Sequence, residues 1–204
     1  SPRAVLATPV GSDLASSYRR FYRDFHTGAL WLVQRGNDYL ARIYRWNPSA
    51  KTFDLRGLNP QSGIGAYGHE LAFGKGVVYC APEFRSNSTV AQSGYPRRDI
   101  GLVRSFDDCA TWETMTGTPV EGPFTPENIT VIYPRREGAD VLTQAAHTSA
   151  SSKVAVSRDG APVVIATWAN PLYSPDDMGL YATRVDPFTG KMTRTRLAQP
   201  EAGW

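Results

Sequence analysis

The chain has 204 residues, of which 41% are hydrophobic and 20% charged, and its formal net charge is +3. That balance excludes a disordered chain, and no Lys/Arg block marks a nucleic-acid-binding arm. No apolar run approaches the ~20 residues a bilayer-spanning helix needs, so neither nucleic acid nor membrane is expected as a partner.

Glycine, proline, tyrosine and tryptophan are frequent, which suits many short strands joined by tight turns. Residues 14–25 form the best amphipathic stretch, but it is short and rich in Tyr and Arg. It reads as a loop leading into a strand. From there on the chain repeats a unit of strand, tight turn and strand, taken twice per copy. The first copy has strands at 17–22, 29–33, 39–46 and 52–55, with turns at His26-Thr27-Gly28 and Asn47-Pro48-Ser49-Ala50. The second has strands at 67–73, 77–84, 99–105 and 111–115, with turns at Gly74-Lys75-Gly76 and 106–110. Residues 129–133 and 141–142 carry extra strand material, expected as an atypical hairpin or the edge of a neighbouring blade. The third copy begins near His147, with strands at 153–156, 163–168, 179–185 and 192–197 and turns at 157–160 and 186–190. Segments 59–65 and 86–98 are long for hairpin connections and read either as binding loops or as simply disordered.

The copies recur about every 45 to 50 residues, close to the period of propeller blades. The expected fold is therefore all-β, a β-propeller of four-stranded antiparallel blades, each covering the apolar face of the next. One region, 1–204, is expected to hold about four blades, at 14–57, 66–117, 128–145 (irregular) and 146–200. About four is the low end for such rings, so either the ring is small or, the favoured expectation, the chain is a partial ring completed by another segment or chain.

Ser105-Phe106-Asp107-Asp108-Cys109-Ala110-Thr111-Trp112 follows the pattern S-x-D-x-G-x-T-W of the Asp-box. In that turn the Asp accepts hydrogen bonds from the turn's own amides and the Trp packs beneath. Cys109 stands at the Gly position, so either a strained turn or a turn of another type is expected there. Asp186-Pro187-Phe188-Thr189-Gly190 reads as a degenerate turn in the same place of its blade. Cys80 and Cys109 fall in one expected blade, and both a bridge and a pair of buried thiols stay open.

In a propeller the innermost strand starts, and the second strand ends, at the same rim of the central channel. Those points carry Tyr18, Arg19, Arg20, Gln34 and Arg35 in the first copy, and Tyr67, His69, Glu83 and Arg85 in the second. The third supplies Gln144, His147 and Trp168. Polar and aromatic residues at strand positions that would otherwise favour Val or Leu mark candidate sites. His26, His69 and His147 lack metal-ligand spacing, so neither metal nor cofactor is expected, and His26 reads as a solvated turn residue.

Residues 18–112 resemble the BNR-repeat propellers that include ulvan lyases and related polysaccharide lyases. The matching elements are Leu32-Val33-Gln34-Arg35-Gly36, Tyr67-Gly68-His69, Glu83-Phe84-Arg85, the Asp-box, and the segment 154–162. The resemblance implies β-elimination on an acidic, uronate-containing polysaccharide, with Tyr67 and Arg85 at the positions of the family's Tyr and Arg. The family's earlier His pair has no match in this sequence. Arg85 would neutralise the uronate carboxylate and acidify the C5 proton. Tyr67 or His69 would take that proton or protonate the leaving oxygen. Arg20, Arg35, Gln34, Glu83, Gln144 and His147 would bind neighbouring sugars, and Trp168 or Tyr95 would stack on a ring face. A secreted, cell-surface or virion-surface location goes with such a substrate. Two further readings stand beside it. One is a sialidase-type hydrolase using Arg20, Arg35 and Arg85 with Tyr67 and Glu83. The other is a non-catalytic propeller that binds glycan or protein, as in an adhesin or a viral receptor-binding fibre.

Overall fold

The computed structural model describes residues 17–35, 41–59, 64–86, 97–122, 124–134, 152–169 and 178–198. Twelve strands lie among them. β1 (Ser17–Arg23), β2 (Leu30–Arg35), β3 (Ala41–Asn47) and β4 (Thr52–Asn59) pair in that order as the first sheet. β5 (Ile64–Gly74), β6 (Val77–Ser86), β7 (Arg97–Ser105) and β8 (Thr130–Tyr133) make the second. β9 (Lys153–Val156), β10 (Pro162–Ala169), β11 (Met178–Val185) and β12 (Met192–Ala198) make the third. Neighbouring strands run antiparallel throughout, so the expected all-β architecture of four-stranded antiparallel sheets is the one observed.

The sheets stack through two apolar seams, and the period-2 alternation of strands decides which residue enters which seam. In β6, Val78, Cys80 and Phe84 face the first sheet, where they join Trp31, Val33 and Ile43. Tyr79 and Ala81 face the third sheet, where they join Val164, Ala166 and Trp168. Being covered on both sides, β6 reads in sequence as an almost unbroken apolar run. Each large side chain so buried stabilises by about 1.5–3 kcal/mol. β12 lies at an edge and is exposed along its whole length, and its alternating Thr and Arg suit an unpaired strand border.

The second sheet departs from expectation at its outer edge. Residues 111–115 do not form its fourth strand: only Glu113 bridges β7, at Arg104, and it bridges Pro119 on its other side. Thr114 and Thr118 are tied through both backbone and hydroxyl, so the segment curls on itself instead of running along β7. The vacant ladder goes to β8, paired to Ile100–Leu102, so residues 130–133 form the outer edge of the second sheet, the second of the two expected placements, and not a separate hairpin. Gly101 permits this approach, because a Cβ there would lie 2.0 Å from Ile129 Cδ1. Residues 141–142 lie outside the described residues. The two long connections are shorter than the sequence suggests. β4 reaches Asn59 and β5 starts at Ile64, while β6 reaches Ser86 and β7 starts at Arg97. Segments 60–63 and 87–96 lie outside the described residues.

Three hairpins at one end of the sheets use the same turn. Asp24, Asn47 and Asp186 each turn a side-chain oxygen onto the amide two residues on, at 2.9, 3.1 and 2.9 Å. Four residues on, the backbone becomes left-handed, at Gly28 (φ 76°), Lys51 (φ 53°) and Gly190 (φ 70°). Lys51 is the exception to glycine at that place, and an L side chain in this region is strained. Lys51→Gly is therefore expected to raise stability by about 0.5–1 kcal/mol, the relief outweighing the looser unfolded chain. Urea denaturation checks this, and a loss of stability would contradict it.

The turn after β7 is held by Asp107, which accepts from the Thr111 amide (2.8 Å) and the Thr111 hydroxyl (2.6 Å). The Ser105 hydroxyl donates to Asp107 Oδ1 (2.8 Å) and accepts from the Cys109 amide (2.9 Å). Cys109 is left-handed (φ 67°), as its place at a glycine position implied, and Trp112 packs edge-on against Phe124. Burial works to raise the Asp107 pKa, but the hydrogen bonds from Thr111, Ser105 and Ala110 outweigh it and leave it below the usual carboxylate range. A carboxyl lowered on folding contributes stability above its unfolded pKa and loses it as pH falls. The melting temperature of the wild type should thus fall more steeply than that of Asp107→Asn between about pH 6 and about pH 3. Parallel melting curves against pH would refute it. Cys80 and Cys109 are both free and buried in the first seam, and burial pushes both thiols up.

Candidate functional site

In antiparallel four-stranded sheets the starts of β1, β5 and β9 and the ends of β2, β6 and β10 share one rim. Near that rim β5 carries an irregularity. Ala66 pairs with Phe84 and Gly68 with Glu83, so Tyr67 is an extra residue set against the Glu83–Phe84 step. Arg85 pairs with Gly65, so Tyr67 and Arg85 occupy adjoining strands within two register positions. His69 pairs with Pro82, further down the same ladder. A bulge of this kind bends the strand and re-aims a side chain, and bulges gather beside active sites. The side chains of Tyr67, His69, Arg85 and Arg35 lie outside what is described, as does that of Tyr18.

One register further along, the first strands of the three sheets meet at Glu70. Its carboxylate is almost fully buried, with 7% of the side chain exposed. Oε1 receives both the Arg20 guanidinium from β1 and the Lys153 ammonium from β9, the latter at 2.8 Å. Oε2 accepts from the Tyr22 hydroxyl at 3.1 Å. Burial pushes Tyr22 up to about 12, against the opposing pull of Arg20, so the phenol keeps its proton and serves Glu70 as a donor. Lys153 is lowered, first by burial and then by repulsion from Arg20. A buried carboxylate is costly unless it is paired and hydrogen-bonded, and this one is both. Two cations against one carboxylate leave the group one positive charge in excess. The sequence marks Arg20 as a rim residue but does not single out Glu70, Lys153 or Tyr22. Their signal is charge and a phenol on strands whose other positions are apolar.

Of the remaining sequence candidates, Gln34, Glu83 and Trp168 are buried. Gln34 is buried on β2, its amide 3.4 Å from the Tyr44 hydroxyl. Glu83 is 1% exposed, within the second sheet. Trp168 requires correction as a stacking platform, since it is 2% exposed and lies in the second seam. Its Nε1 donates to Pro134 O (2.8 Å), Tyr133 and Tyr181 pack on it, and the Arg194 guanidinium sits 4.3 Å from its ring centroid. No ring face is left for a sugar. His26 is exposed in its turn. Gln144, His147 and Tyr95 lie outside the described residues. Among the described residues no group of three His, Cys, Asp or Glu is placed to hold a metal ion. A groove of about 480 Å³ opens at the opposite, hairpin end of the first sheet, beside Arg45, Asp54 and Arg56. It contains none of the rim residues.

Comparison with solved structures returns enzymes that act on glycans. A PL25 ulvan lyase bound to -[GlcA(1-4)Rha3S]- matches with a TM-score of 0.60 and 12% identity over 88% of this chain and 43% of that one. The polysaccharide lyase Uly1 matches with a TM-score of 0.59 and 15% identity, over 88% and 40%. A GH43 β-xylosidase/α-arabinofuranosidase from a compost microbial metagenome matches with a TM-score of 0.50 and 11% identity, over 96% and 63%. The chain thus spans less than half the length of the two lyases. No family model and no curated protein matches the sequence. At these identities the likeness is one of fold, to β-propeller glycan enzymes that include both lyases and hydrolases.

Proposed function

We propose that this chain is part of a carbohydrate-active propeller that cleaves an acidic, uronate-containing glycan by β-elimination. The observation that carries the reading is the bulge at Tyr67 beside Arg85, near the rim of the middle sheet. The excess positive charge around Glu70 and the likeness to ulvan lyases support it.

In this reading Arg85 pairs with the uronate carboxylate and stabilises the enolate-like charge that develops as the C5–H bond breaks. Tyr67 or His69 takes that proton, and the other returns a proton to the oxygen leaving C4. The C4–O bond breaks, a C4=C5 double bond forms, and no oxidant or water is consumed. Further sheets, from the same or another chain, complete the ring, and a secreted or cell-surface setting matches a polymeric acidic substrate.

The deciding assay incubates the protein with uronate polymers and follows ultraviolet absorbance of the unsaturated product alongside reducing-end release. Both rising together supports elimination. Reducing ends without unsaturation would replace the lyase reading with a hydrolase, and binding without cleavage would replace it with a glycan-binding module.

A further inference from the structure

The geometry points to a second acid-binding position on the inner strands: Arg20 and Lys153, braced by Glu70, form a clamp for another oxyanion of the glycan, a carboxylate or a sulfate ester. The inference rests on the reading that the protein takes an acidic glycan, and it concerns a different group of the polymer from the one Arg85 would hold.

Three observations carry it. Both cations are anchored on the same oxygen, Glu70 Oε1, so their nitrogens are held as neighbours although they belong to the first and third sheets. Glu70 is sunk beneath them at 7% exposure, while the Lys153 side chain is 59% exposed and that of Arg20 33%. The two cationic side chains therefore reach solvent and the carboxylate does not. Each head also has donors to spare. An ammonium carries three N–H groups and a guanidinium five, and only part of these reaches Glu70. An oxyanion lying across the pair would receive charge-assisted hydrogen bonds from both and offset their mutual repulsion. Tyr22, donating to Oε2, fixes the carboxylate that fixes the clamp. Glu70 and Tyr22 are thus positioning residues, and Arg20 and Lys153 are the ones that touch the ligand.

The test is calorimetric binding in a Tyr67→Phe background, so that turnover does not intervene. Three oligosaccharides are compared: a glucuronate oligomer, a sulfated oligomer without uronate, and a neutral oligomer. Lys153→Met keeps the aliphatic stem and removes the charge. It should weaken binding of at least one acidic oligomer about tenfold and leave the neutral one unchanged. Lys153→Arg should restore binding to within about twofold of the parent, since it returns the charge. Arg20→Gln should weaken the same oligomer. Whether the uronate or the sulfated oligomer responds identifies the bound group. Unchanged affinity for both acidic oligomers in Lys153→Met, or an equal loss for the neutral one, would overturn the clamp. The lyase reading fails separately, on absence of unsaturated product from the wild type. A Lys153-dependent affinity would survive that failure.

Discussion

Tyr67→Phe and Arg85→Ala are each expected to abolish most of the proposed elimination activity while leaving the fold in place. A positioned acid–base group contributes about 10²–10⁴ in rate, so loss of the Tyr67 hydroxyl should lower kcat by that factor if the phenol moves the proton. Loss of Arg85 should cost about 10²–10³ in kcat/KM, because its charge acts on the anion that develops at the uronate. The two strands are held by backbone pairing from Ile64–Ser86 to Gly74–Val77, which neither substitution removes. Far-ultraviolet circular dichroism and melting should therefore match the wild type. Rates of both variants within about threefold of wild type would end the assignment of these residues.

Trp168→Ala is expected to be the most damaging substitution for stability among the positions considered. A fully buried tryptophan replaced by alanine costs about 3–5 kcal/mol, a large part of the 5–15 kcal/mol that holds a domain folded. The ring also serves polar neighbours. It donates to Pro134 O, and it lies under the guanidinium of Arg194, which donates to Ile132 O (2.5 Å) and Thr183 Oγ1 (3.1 Å). Removing it leaves the Arg194 cation beside a void. Trp168→Phe keeps an aromatic surface but loses the Pro134 bond, so its cost should fall between that of alanine and zero. Guanidinium denaturation should show a lower midpoint with little change in slope. A cost below about 1 kcal/mol for Trp168→Ala would contradict the burial described.

Much of the architecture was legible because local chemistry and long-range packing agree. The run Val163-Val164-Ile165-Ala166-Thr167-Trp168 has strand chemistry throughout, and Ser157-Arg158-Asp159-Gly160 before it can only turn. The glycine-closed turns at Gly28 and Gly190 were equally plain. Residues 111–115 misled because Thr-Trp-Glu-Thr-Met alternates like a strand. What defeats the strand is a local competition: Asp107 captures Thr111 and Thr114 captures Thr118. Trp168 misled for a different reason. A strand-end aromatic can cap a channel or fill a seam, and only the facing Tyr133, Tyr181 and Arg194 decide between them. The cluster at Glu70 was invisible as a cluster, since the partners of Glu70 lie 48 to 83 positions from it along the chain and meet it only when three sheets stack. The rim rule did reach Arg20, because it depends on strand direction alone, and the register sets Tyr67 and Arg85 on adjoining strands as that rule implies.

The stacked seams also dictate how the molecule comes apart. In this chain by itself a flanking sheet is gripped by the middle one, while the middle sheet is gripped from both sides, so heating the isolated chain should peel the flanks away before it reaches β6. Arg20 travels with one flank and Lys153 with the other. A warmed molecule would let go of its grip on a polyanion while the strands bearing Tyr67 and Arg85 were still knitted together.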